Sequence, residues 1–71
     1  MEILVFKTSV HSLEGVRNLK PSLDLLAGQG KWNFALDDRD RILRVKATRD
    51  KLVPTVNALT NMGYVCEELT D

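Results

Sequence analysis

Residues 2–9 read EILVFKTS and residues 41–48 read RILRVKAT. The two stretches match at Ile3/Ile42, Leu4/Leu43 and Lys7/Lys46, each pair 39 positions apart. Each is β-rich, and a helical pattern follows each of them. A chain that repeats strand-then-helix at this distance is two similar halves, and their topology decides the fold.

In the first half, Ser12 is placed to cap a helix, because its hydroxyl can accept a bond from an orphan amide of the first turn. Leu13, Val16, Leu19, Leu23 and Leu26 then recur at helical spacing, and Gly28 supplies a stop. Glu14 with Arg17 and Lys20 with Asp24 form charge pairs on the other side. Pro21 costs about 3 kcal/mol in a helix interior, which predicts a kink or break near Leu19–Lys20. KWNFALD, residues 31–37, alternates strictly, with Trp32, Phe34 and Leu36 on one side. DDRD, residues 37–40, is turn chemistry, since short acidic side chains bond nearby backbone amides. RILRVKA, residues 41–47, returns as the other arm of a hairpin.

The second helix is predicted to be capped by Thr48 or Asp50, with Pro54 near its first turn. Leu52, Val56, Leu59 and Met62 form its buried stripe, Gly63 ends it, and YVCEEL, residues 64–69, is a last strand. The order is βαββαβ. Two β-α-β units with right-handed crossovers interleave as a four-stranded antiparallel sheet carrying both helices on one face. The fold class is therefore α+β, a ferredoxin-like sandwich formed as one domain over residues 1–71. Leu4, Phe6, Trp32, Phe34, Leu43 and Val45 are predicted to lie beneath Val16, Leu19, Leu23, Val56 and Leu59. Arg44 and Lys46 fall on the open face.

Composition narrows the function classes. A 71-residue chain buries only about 60% of its unfolded surface, so every core position counts. Ten basic and ten acidic residues cancel, which argues against a general electrostatic grip on nucleic acid or anionic lipid. The single cysteine, Cys66, permits no internal disulfide and suits a reducing cytoplasm. The first apolar run is too short for a signal peptide, and no segment reaches the roughly 18 apolar residues that span a bilayer. A cytoplasmic protein with no membrane partner is the expectation.

The segment KTSVHSLEG, residues 7–15, joins the first strand to the first helix. With LAG at 26–28, a charged hairpin, and MGY at 62–64 before the last strand, it gives the chain a recognisable outline. The chain resembles a heavy-metal-associated domain of the small copper-chaperone type over nearly its whole length. In that family the corresponding loop carries a Cys-x-x-Cys pair that binds Cu(I). Here Thr8 stands for the family's threonine, while Ser9 and Ser12 occupy the two cysteine positions. Soft ions select thiolate or thioether ligands, and a serine hydroxyl stays protonated. Ser9 and Ser12 are expected to cap the helix or bond backbone amides, and no resident cofactor is expected.

Three functional readings follow. The first is a non-enzymatic binding module that meets a protein partner through the open sheet or through the loop face of Val10, His11, Gly63 and Tyr64. The second is a metallochaperone-like protein holding Cu(I) or Zn(II) with His11 and Cys66, unless Cys66 acts as a small buried hydrophobe. The third is a small-ligand regulatory domain of the same topology. Nucleic acid is not an expected partner, because ILRVKA offers no aromatic platform for bases. Asp37, Asp38 and Asp40 lack a calcium-loop spacing. One histidine, one cysteine and scattered carboxylates form no nucleophile–base–orienter set, so no enzyme is expected.

Overall fold

The computed structural model describes residues 2–69. The two echoing stretches are its central strands, β1 (Glu2–Thr8) and β3 (Ile42–Ala47), paired antiparallel. Leu4 lies opposite Val45 and Phe6 opposite Leu43, so these four side chains share one face. All four side chains are at most 1% exposed. Helix α1 (Leu13–Ala27) follows β1, and β2 (Trp32–Ala35) runs beside β3. Helix α2 (Leu52–Asn61) leads to β4 (Cys66–Glu68), which pairs with the other edge of β1. The sheet order β2-β3-β1-β4 is that of a ferredoxin-like α+β fold.

The helices complete the core. Leu19 and Leu23 from α1 and Leu59 from α2 are fully buried against the sheet residues, with Val16, Trp32, Phe34 and Val56 packed partly buried around them. Trp32 and Phe34 meet edge to face, ring centroids 6.0 Å apart. The Trp32 indole N–H donates to Asp24 of α1 at 2.8 Å, and Lys20 donates to the same carboxylate at 2.6 Å. These bonds, from Lys20 first and Trp32 second, hold the Asp24 carboxyl below its usual range. Edge strand β2 is thereby tied to the helix layer.

Several expectations are corrected. Helix α1 runs without a break through Pro21. The proline ring leaves the Arg17 carbonyl without an amide, but both residues are exposed, so water can serve it. Leu13 is 69% exposed and Met62 47% exposed, so neither belongs to a buried stripe. Leu13 opens α1 before the helix reaches the sheet, and Met62 lies beyond the last residue of α2. Glu14 and Arg17 form no ion pair among the described residues, unlike Lys20 and Asp24. Neither Thr48 nor Asp50 caps α2. The helix is entered instead through a 3-10 turn, Arg49–Lys51, with the Thr48 and Asp50 side chains bonded to each other. Leu36 leaves the strand and lies in the turn, where Asp38 accepts the Asp40 amide at 2.9 Å.

This packing ranks the aromatic residues. Phe6→Ala is expected to cost about 3–5 kcal/mol in urea denaturation as a core cavity. Phe34→Ala, at a half-buried site near the sheet edge, is expected to cost clearly less.

Candidate functional site

The end of β1 is organised by one buried hydroxyl. Thr8 is 6% exposed. Its Oγ1 donates to the Arg41 carbonyl at 2.6 Å and accepts the Val10 amide at 3.2 Å. Its own amide donates to the Asp40 carbonyl at 3.1 Å. One side chain thus fastens the first loop to the end of the β2–β3 hairpin, where Arg41 holds a left-handed φ of 49°.

The two serines are occupied by backbone groups. Ser9 donates its amide to the Val65 carbonyl at 3.1 Å. Its Oγ accepts the Val65 amide at 2.8 Å. This reciprocal pair acts as one extra rung between the loop and the chain entering β4. Ser12 has extended dihedrals (φ −143°, ψ 157°) and caps α1 by accepting the Gly15 amide at 3.2 Å. Each serine oxygen accepts one backbone amide.

Loop and turn also meet through packing. A Cβ on Gly15 would lie 2.6 Å from Tyr64 Oη and 3.3 Å from Val10 Cγ1. Glycine in the first turn of α1 is therefore what lets the Tyr64 ring lie across the helix. Val10 is fully buried beneath this contact and so contributes nothing to an exposed partner face. His11, Gly63 and the half-buried Tyr64 remain accessible there. The open end also carries Leu13, Met62 and Val65, the last 57% exposed.

His11 and Cys66 lie in different environments. The histidine is exposed, with Nδ1 3.3 Å from the Ser9 carbonyl. Cys66 stands opposite Thr8 in the sheet and belongs to the core, 7% exposed. Burial pushes its thiol from 9.0 up to about 11. At neutral pH the thiol is protonated and packs in the core as a small hydrophobe. Among the described residues, no three His, Cys, Asp or Glu side chains gather at one point. Asp37, Asp38 and Asp40 serve the hairpin turn region, with Asp38 bonding backbone and Asp40 lying 3.9 Å from Lys7.

Sequence reasoning named Thr8 only as a motif position and passed over Gly15. The signal for Gly15 was a glycine inside an otherwise helical pattern, which asks for a close neighbour. Comparison with family models, curated proteins and solved structures finds no match to this chain.

Two measurements follow from this geometry. Thr8→Val strands the Val10 amide and the Arg41 carbonyl, and is expected to cost about 1–3 kcal/mol. Thr8→Ser, which keeps both bonds, should recover most of that loss in the same denaturation assay. For Cys66, the folded-state thiol titrates above the unfolded one. Its contribution to stability is therefore complete below about pH 9 and lost as pH rises through about 11. Urea denaturation across this window should show a steeper decline for the native chain than for Cys66→Ala.

Proposed function

We propose that the chain is a small non-enzymatic binding module on a heavy-metal-associated type of scaffold, working in the cytoplasm, and that it recognises a protein partner. The contact surface is the end of the molecule where the loop at 9–12 meets the turn at 62–65. One observation carries this reading. The hydroxyls that replace the thiolates are both bonded to backbone amides, while Leu13, Met62 and Val65 stand exposed around them. A loop whose two serine oxygens already accept backbone amides, with exposed apolar side chains beside it, suits a protein contact better than a soft-ion site.

The metal reading with Cu(I) or Zn(II) on His11 and Cys66 has the weaker support, because one ligand is exposed and the other is a core thiol. The two readings separate in a Cu(I) titration of the reduced protein against a competing chelator. The native chain is expected to show no affinity of the two-thiolate class, and the Ser9→Cys/Ser12→Cys variant to acquire it. Tight binding by the native chain, with NMR shifts confined to His11, Cys66 and their neighbours, would reverse the order of the two readings. For the partner surface, a photo-crosslinking residue at position 62 should capture one defined protein, and Leu13→Asp should weaken that complex at least about tenfold. Equal capture from position 25, at the far end of α1, would show that the surface is misplaced.

A further inference from the structure

The open face of the sheet holds a cavity of about 330 Å³, lined by Ile3, Lys31, Asn33, Arg44 and Lys46 and bordered by Gly30 and Trp32. Three of these residues are cations, and among the described residues no carboxylate lines the cavity. None of the three takes part in an ion pair among the described residues.

The sheet register holds the cations together. Asn33 and Val5 lie on either side of Arg44, and Ile3 lies opposite Lys46. One step beyond the Trp32–Val45 pair, the Lys31 carbonyl accepts the Lys46 amide at 2.7 Å. Two lysines therefore face each other across adjacent strands, with an arginine in the next row of the same face. Like charges directly opposite on a sheet destabilise it. All three side chains are exposed.

From this arrangement we propose that the open face binds a small phosphorylated organic anion carrying at least two negative charges. Arg44 supplies a planar fork for two oxygens, and Lys31 and Lys46 supply point charges beside it. A single carboxylate would leave two of the three cations unmatched. Ile3 offers an apolar flank for the organic body. The volume lies at the small end of the range for ligand pockets, about 300–1,000 Å³. A nucleic-acid strand fits less well, because among the described residues Trp32 is the one aromatic at the cavity and a strand stacks successive bases on several. The Trp32 ring is committed to Asp24 and Phe34. Ile3 and Thr8 are at opposite ends of β1, about 17 Å apart along a strand, so this site stands or falls independently of the loop surface.

The test is a ¹H–¹⁵N NMR titration of the full chain with inorganic pyrophosphate in chloride buffer, repeated with inorganic phosphate, phenyl phosphate, citrate, an acidic peptide and an oligonucleotide. Saturable shifts are expected at residues 31–33 and 44–46, with a Kd below about 1 mM. Arg44→Gln and Lys46→Gln should each weaken binding about tenfold. Arg17→Gln, an exposed cation on α1, should leave it unchanged. Phenyl phosphate should bind more tightly than inorganic phosphate if Ile3 contacts the organic body. Absence of saturation, shifts centred elsewhere, or equal weakening by Arg17→Gln would overturn the site. Tighter binding of citrate, of an acidic peptide or of an oligonucleotide would overturn the choice of ligand.

Discussion

The antiparallel pairing of β1 with β3 is the constraint on which the rest of this fold depends. Their register places Leu4, Phe6, Leu43 and Val45 on one face. A slip of one residue in either strand would turn its apolar set outward and its charged set under the helices. For β3 that means burying Arg44 and Lys46; for β1 it means burying Lys7. Unpaired charges in a core cost far more than a small domain can absorb. The charged residues therefore specify the register as firmly as the apolar ones do.

With the central pair in place, the ends of β1 acquire different characters. At its C-terminal end, Thr8 ties the first loop to the hairpin, Ser9 ties it to the chain entering β4, and Ser12 starts α1. Hydroxyls do this well because one oxygen accepts an amide at ordinary hydrogen-bond distance. A cysteine sulfur in either serine position would be a weak acceptor, leaving an amide poorly served. The loop is shaped for closing backbone bonds. Gly15 adds the last requirement, since any side chain there would displace Tyr64 from its place over the helix.

Much of this was legible in the sequence because it rests on periodicity. The internal echo, the apolar run of EILVFK, the hairpin return of RILRVKA, and the leucine spacing of α1 are local patterns that long-range packing reinforces. Ser12 as a cap and Asp38 in the turn follow from side chains bonding to their immediate neighbours. The parts that escaped depend on distance in the chain. Leu13 and Met62 keep the helical spacing but lie at the helix ends, outside the area the sheet covers. Val10 is apolar in a loop, and only the Gly15–Tyr64 contact above it decides that it is buried. The partnership of Thr8 with Arg41, 33 residues away, has no local signal at all.

Net charge shows the same limit. Ten positive and ten negative residues sum to zero, which speaks against a long-range grip on a polyanion and says nothing about one small site. Charges farther apart than about 8 Å are largely screened at physiological ionic strength, so neighbours decide the local field. Arg49 draws Glu68 to 2.8 Å and Glu2 to 3.9 Å, and Asp24 is held by Lys20. These acids are engaged elsewhere, and the strand parity that keeps Arg44 and Lys46 out of the core places them beside Lys31. A positive cavity on a neutral protein is thus a direct consequence of the register that builds the core.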